Sequence, residues 1–252
     1  HGNLVMSRTS DIAYHVLEAT YQQYLRLASL RAARDCISNA IAELPIFQHY
    51  SFDLGNLYGS VDGQKFSVER PTVKARHSRK YFGRGKGVVA YTLLCNHVPL
   101  QGLIIGANEY EGHYLFDMLF NNSSGVEPNR ISTDTHGSNN LNFLLLDCRN
   151  IEFAPHYKSI SRKAKTLCGF KNLSDYDATY VIKPAKKANK KLIIEEWPNA
   201  QPIIAALMMK ETTQSVVVKK LCSNNGKNKT KEALWEYNDI LMSIYLLQYI
   251  DD

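Results

Sequence analysis

Ser60-Val61-Asp62-Gly63-Gln64-Lys65-Phe66, followed by Val88-Val89-Ala90-Tyr91-Thr92-Leu93-Leu94-Cys95 and the apolar run from Leu100 to Ala107, decides the fold class. β-branched and aromatic residues crowd these segments, and the last two read as strands. The run from Leu100 is apolar enough to be a central strand. Downstream the period changes. Tyr114, Leu115, Met118 and Leu119 recur at helical spacing within residues 109–121. Arg130-Ile131-Ser132-Thr133-Asp134 reads as a short strand ending on an acid. Residues 138–148 are helical in pattern, through Leu141, Leu144, Leu145 and Cys148, and Ile151 to Ala154 is a further short strand. Three strands, a helix, a strand, a helix and a strand predict a mixed sheet with helices against it, an α/β class.

Working outward, residues 10–45 read as two amphipathic helices packing on a core. Leu17, Tyr21, Tyr24 and Ala28 share one face, with Ser10 or Asp11 as N-cap. Ala33, Ile37, Ala40 and Leu44 share the second face, which stops before Pro45. Beyond Tyr157, residues 158–191 hold ten Lys or Arg and two acids. Residues 199–222 and 230–250 read as helices, the second with an apolar face of Ala233, Leu234, Tyr237, Ile240, Leu241, Ile244 and Leu247. These shifts divide the chain into residues 1–47, 48–157 and 158–252.

Composition narrows the function classes. The chain has 252 residues, a net charge of +6, 44% hydrophobic and 21% charged residues. It can bury a sizeable core and is not a disordered polyelectrolyte. No apolar run approaches the ~20 residues that span a bilayer. His1-Gly2-Asn3 lacks both an initiator Met and a secretory-leader pattern, so a fragment of a longer chain is expected. Cys36, Cys95, Cys148, Cys168 and Cys222 are odd in number and scattered, which argues against a disulfide framework or a structural zinc site and for the cytoplasm.

Two acids stand out. Asp62 sits in an Asp-Gly pair that also carries a hairpin-turn signal. Asp134, between a strand and a helix, also reads as an N-cap. If the strands of residues 58–66 and 130–134 are neighbours, however, their carboxylates lie side by side, and adjacent carboxylates need a cation. Hard oxygen donors suit Mg²⁺, with Mn²⁺ as a substitute, and such a site suits phosphodiester chemistry. The charge pattern supplies a polyanion partner. Between Lys65 and Gly87 lie eight basic residues against one acid, Glu69. Lys65, Lys74, Arg76, Lys80, Arg84 and Lys86, interleaved with Phe66, Tyr81 and Phe82, are candidate nucleic-acid contacts, although a solvated basic loop has the same composition. Gly83-Arg84-Gly85-Lys86-Gly87 looks like a phosphate-cradling loop but lacks the nucleotide-binding spacing G-x-x-x-x-G-K-[ST]. His136 is a possible auxiliary to Asp134 or a hydrogen-bonded histidine at a helix start. Asn139 and Asn140 lie near it in sequence. Trp197 reads as a core residue or as a base-stacking one.

Ser60-Val61-Asp62-Gly63-Gln64-Lys65-Phe66, Ala75-Arg76, Lys80-Tyr81-Phe82-Gly83-Arg84-Gly85-Lys86-Gly87-Val88, Tyr91-Thr92, Thr133-Asp134-Thr135-His136-Gly137 and Phe153-Ala154-Pro155 occur in an order and at gaps that form a set. Through them, residues 58–157 resemble the catalytic domain of Tn3-family DDE transposases, and a weaker likeness extends in both directions. The resemblance implies a ribonuclease H-like fold, whose element order matches that read above, with a mostly helical insertion after the fifth strand. It implies metal-dependent DNA cleavage, with Asp62 and Asp134 as the first two of three acids. Water releases a 3′-hydroxyl at each transposon end, and that hydroxyl attacks target DNA in replicative transposition. The implied partners are terminal inverted repeats, target DNA and a second copy of the full protein, in a bacterial cytoplasm at the nucleoid. The family's third acid, in a Gly-Glu context followed by His, has no counterpart. Glu195, Glu196, Glu232 and Glu236 lack that setting, and Asp251-Asp252 resembles a position shortly before it, so the chain is expected to stop short of the third acid. A catalytically incomplete DNA-binding or assembly module, or another ribonuclease H-like nuclease, are the competing expectations.

Overall fold

The computed structural model of the chain describes residues 2–251, apart from 52, 54, 71, 178 and 224–227 and the side chains at 136 and 223. Four helices lead the chain: α1 (Asn3–Thr9), α2 (Tyr14–Tyr24), α3 (Leu27–Ala42) and α4 (Pro45–Gln48). The expected amphipathic packing of the first segment is not what forms. Tyr21, Tyr24, Leu27, Leu30 and Ile37 are all exposed. The side of α3 that meets the sheet is polar at Arg34 and Ser38, with Ile41 and Ala42 packed on the core beyond them: Arg34 Nη1 donates to Gln101 Oε1 at 2.7 Å, and Ser38 Oγ donates to the Pro99 carbonyl at 3.2 Å. The capping expectation also fails, because α2 starts after Ala13 with no side-chain cap and Ser10 closes α1.

The sheet begins with β1 (Tyr58–Val68), followed by β2 (Arg76–His77), α5 (Arg79–Phe82), β3 (Lys86–Cys95) and β4 (Val98–Gly106). β1 pairs antiparallel with β3 along almost its whole length, with Asp62 opposite Thr92 and Gly63 opposite Tyr91. The hairpin-turn reading of Asp62-Gly63 is thereby corrected: both residues are rungs of a continuous ladder. The tight hairpin lies elsewhere. Asn96 and His97, with φ of 45° and 67°, join β3 to β4 between the pair Cys95 and Val98. Two central residues with positive φ match the twist of flanking strands, and Asn tolerates that region.

A 3₁₀ turn (Glu111–Tyr114), α6 (Leu115–Phe120), β5 (Arg130–Thr133), a second 3₁₀ turn (Thr135–Gly137), α7 (Asn142–Asp147) and β6 (Glu152–Phe153) complete the sheet region. The strand order is β2-β3-β1-β5-β6, with β4 also on β3, and β1–β5 and β5–β6 are parallel. β4 is therefore an edge strand, not a central one. Its apolar residues are covered across the sheet faces rather than by a neighbouring strand, which explains why composition alone misplaced it. Val61, Tyr91, Leu93, Leu100 and Ile131 form one sheet face, buried against Leu115, Phe116, Met118, Leu144 and Leu145. The opposite face carries Ser60, Asp62 and Gln64, all exposed.

The remaining elements are α8 (Ile160–Ala164), the two-stranded pair β7 (Cys168–Gly169) and β8 (Lys186–Lys187), α9 (Lys190–Met208), α10 (Gln214–Ser223) and α11 (Lys229–Asp251). The helix read over 199–222 is two helices. The first starts nine residues earlier, where Asn189 Oδ1 accepts from Leu192 N at 3.1 Å, and runs through Pro198 and Pro202. The break falls at Lys210, whose φ is 60°. In α11 the buried positions include Ala233, Leu234, Asn238, Met242, Ser243 and Leu246, while Ile244 and Leu247 are exposed. Among the described residues, no helix is long and apolar enough to cross a membrane.

Candidate active site

The parallel pairing of β1 and β5 runs from Tyr58↔Arg130 to Val61↔Thr133. Asp134 follows Thr133 at the carboxyl end of β5, and Asp62 follows Val61 midway along β1, so each stands one residue beyond the last parallel pair. In a sheet of this kind such ends are where ligands bind. Both residues are exposed. Asp62 Oδ1 accepts from Gly63 N at 2.8 Å, and Asp134 Oδ1 accepts from Gly137 N at 2.9 Å. Asp134 thus closes the short turn that follows it. It does not cap α7, whose N-cap is Leu141 without a side-chain bond.

A third carboxylate lies close by. Glu111, on the first 3₁₀ turn, is 9% exposed, and its Oε1 takes the Lys65 ammonium at 2.7 Å. It sits directly against the backbone of Gly63, where a Cβ would come within 2.5 Å of the carboxylate. Burial works against the Lys65 charge, but Glu111 outweighs it and holds Lys65 above the ordinary lysine range. Tyr91, opposite Gly63, is 1% exposed and its hydroxyl has no partner. Burial first, then the charges of Glu111, Asp134 and Asp62, push that hydroxyl far up. Glu111 thus lies on the sheet face of Gly63 and Tyr91, whereas Asp62 belongs to the opposite face. Glu111 was not foreseen. It lies in Glu109-Tyr110-Glu111-Gly112-His113, read only as a helix start, and nothing in the spacing marks it as buried.

Two exposed carboxylates that follow paired residues of neighbouring parallel strands are oxygen donors of the type a hard divalent cation takes. Mg²⁺ takes one or two carboxylates and completes its shell with water and phosphate oxygens. Among the described residues, no group of three or more His, Cys, Asp or Glu could hold a metal. The other acids considered are engaged elsewhere. Glu236 binds Lys186 at 2.8 Å, Glu196 accepts from Thr230 at 2.8 Å, and Glu195 faces Lys191 at 3.6 Å. Asp251 is exposed, and Asp252 lies outside the described residues.

The remaining candidates separate. The backbone of His136 lies in the second 3₁₀ turn, and its side chain lies outside the described residues. Asn139 bridges backbone, donating to the Gly112 carbonyl at 2.7 Å and accepting from Leu141 N at 2.7 Å, while Asn140 is exposed. Trp197 is 36% exposed and meets Tyr237 edge-on, so it is not a core residue. Lys74 donates to the Ile104 carbonyl at 2.8 Å and Arg76 to the Val73 carbonyl at 2.7 Å. Lys80 lies 4.9 Å from the Tyr81 ring centre. Arg84 and Lys86 are exposed. In the glycine-rich loop, Gly83 N binds the Arg79 carbonyl and Gly85 N the Phe82 carbonyl. Those two amides are satisfied within the turn. Lys86 pairs with Val68 at the far end of β1. Six residues at ~3.3 Å each put that end about 20 Å from Asp62.

The family model described as the Tn3 transposase DDE domain matches residues 2–252. The transposase for transposon Tn4556 of Streptomyces fradiae is 26% identical over 98% of this chain and 27% of its own length. The transposase for transposon gamma-delta of Escherichia coli K12 is 22% identical over 99% of the chain and 24% of its own length. The transposase for transposon Tn1546 of Enterococcus faecium is 24% identical over 92% and 24%. The chain thus spans about a quarter of the length of these relatives. No solved structure matches it.

Proposed function

The chain belongs to the Tn3 transposase DDE-domain family, and from that premise we propose that Asp62 and Asp134 form the catalytic acid pair of a DNA-cleaving and strand-transferring core. The observation that carries this reading is that each acid directly follows a member of the last parallel pair, Val61 and Thr133, on neighbouring strands. The sheet order, with β1 between an antiparallel β3 and a parallel β5, supports a ribonuclease H-like arrangement. Asp62 and Asp134 would hold a divalent cation, Mg²⁺ or Mn²⁺, which when bound supplies Lewis acidity and a more acidic bound water. The chain's own part is to fix both carboxylates on rigid strands and to guide the DNA backbone with Arg84 and Lys86, and with Lys74, Arg76 and Lys80 around them. The proposed substrates are the inverted-repeat ends of the element and target DNA. Water cleaves a phosphodiester to leave a 3′-hydroxyl, and that hydroxyl then attacks a target phosphodiester, releasing one 3′-oxygen for each new bond. The full-length protein would act as a dimer that pairs two ends, in the bacterial cytoplasm.

Titration of Mn²⁺ into the wild type, Asp62→Ala and Asp134→Ala tests the pair. Binding that both substitutions weaken supports it. Unchanged binding in either variant removes that acid from the site. A second reading, a DNA-binding module without cleavage, is favoured by the absence of a three-ligand group among the described residues. It predicts DNA affinity that is the same with Mn²⁺ and with a chelator.

A further inference from the structure

We infer that Gln214 and Asn142 are positioning residues that set the orientation of the Asp134 carboxylate, an inference that rests on the acid-pair reading above. Neither belongs to the acid-bearing strands, and both are buried, at 0% and 1% exposure. Gln214 opens α10, and Asp117 Oδ1 accepts its backbone N–H at 2.9 Å. Its Oε1 accepts from Phe116 N at 2.9 Å. Its Nε2 donates to the Gly112 carbonyl at 3.2 Å and to Asn142 Oδ1 at 2.5 Å. Asn142 passes the connection on, its Nδ2 donating to the Gly137 carbonyl at 2.8 Å. Gly137 N–H in turn donates to Asp134, at 2.9 Å to Oδ1 and 3.0 Å to the backbone oxygen. The hydrogen bonds therefore run unbroken from α10 to the acid.

Two further contacts hold the same turn. Asn139 Nδ2 shares the Gly112 carbonyl, and Tyr110 Oη donates to the Ser138 carbonyl at 2.7 Å. Gly137 lies so close to Thr133 that a Cβ would meet it at 2.5 Å, so the turn cannot move toward the strand. A buried amide network needs every member satisfied, whereas apolar side chains of equal volume would fill the same space without that constraint. What the amides add is direction, aimed at the backbone of the two turns beside the acids. Such outer partners of a metal-holding group typically alter affinity by about 10–100-fold when removed. Because Gln214 lies on α10, the segment beyond residue 158 takes part in setting the geometry of an acid on the sheet.

The test uses Asn142→Leu and Gln214→Leu, with Val217→Ala as a control that weakens α10 packing without touching the network. Two readouts are taken on each folded chain: Mn²⁺ affinity, and hydrogen exchange at the Gly137 amide. Both Leu variants should bind Mn²⁺ about tenfold more weakly. Their Gly137 amide should exchange at least about tenfold faster, and Val217→Ala should leave both readouts at wild-type values. Leu variants that keep Mn²⁺ affinity within about twofold, with unchanged Gly137 exchange, overturn the inference. If either does not fold, Gln214→Glu replaces it, keeping the acceptor and the volume but losing the donor, with the same two expectations. Should Asp134→Asn bind Mn²⁺ like the wild type, the acid-pair reading falls instead, and Gly137 exchange alone decides whether the network holds the turn.

Discussion

Replacing Asn238 by Leu should remove about 2–3 kcal/mol of stability. The first N–H groups of a helix have no partner within it. At α7 those donors are not capped from nearby sequence. Asn238, near the middle of α11 and nearly a hundred residues away in sequence, accepts from Phe143 N at 3.1 Å and Leu144 N at 3.4 Å. It is 2% exposed, so water cannot take over. A buried donor left unsatisfied costs about 1–3 kcal/mol, and the longer of the two bonds counts for less. Leu matches Asn in branching and heavy-atom count but is bulkier, so no cavity opens and slight crowding adds to the loss. Thermal and urea unfolding measure the loss. For a domain of this size, about 2–4 °C of Tm accompanies each kcal/mol, giving a fall of about 4–12 °C with an unchanged urea slope. A loss under about 0.5 kcal/mol would refute the idea that α11 caps α7. A Tm shift seen by one spectroscopic probe and not another would refute the cooperative unit that such capping requires.

Other perturbations follow from the site. Gly63→Ala should cost about 1–3 kcal/mol, because its Cβ displaces the Glu111 carboxylate. In a Glu111→Ala background the same change should cost less, and a double-mutant cycle showing no coupling would contradict the contact. Arg84→Ala and Lys86→Ala should each reduce the salt dependence of DNA binding by about one ion, whereas Lys65→Ala should not, since Glu111 already neutralises that ammonium. Binding measured across a salt series decides. Burial, the largest cause, together with Lys219 holds His113 below the ordinary histidine value of 6.5, while Glu109 opposes them. The unfolded chain therefore takes up the proton first as pH falls below about 6.5, and stability is lost below that value and complete above it. Denaturant midpoints of the wild type and His113→Asn should converge on acidification, and parallel curves would exclude this role.

Both acids of the proposed site are legible in the sequence. Asp62 and Asp134 stand out because strand formers flank Asp62 and precede Asp134, which follows the end of β5. Their juxtaposition depended on β1 and β5 being neighbours, which local patterning cannot state. Asp62-Gly63 shows the limit of local signals: a turn-forming pair is held extended because β3 supplies a ladder partner for every rung. Glu111, Gln214 and Asn142 left no trace in the residue pattern, since their environment comes from segments as far as 102 positions apart.

The order of apolar, glycine and charged residues was sufficient for the α/β class and marked the two acids and the basic stretch, because each depends on local preference or net charge. Which helices bury their apolar residues was decided by tertiary structure, as the exposed Tyr21 and Ile37 show. So were the edge position of β4 and the amide network behind Asp134. Burial and buried hydrogen bonding are properties of what lies across the gap, and residues distant in the chain supply it.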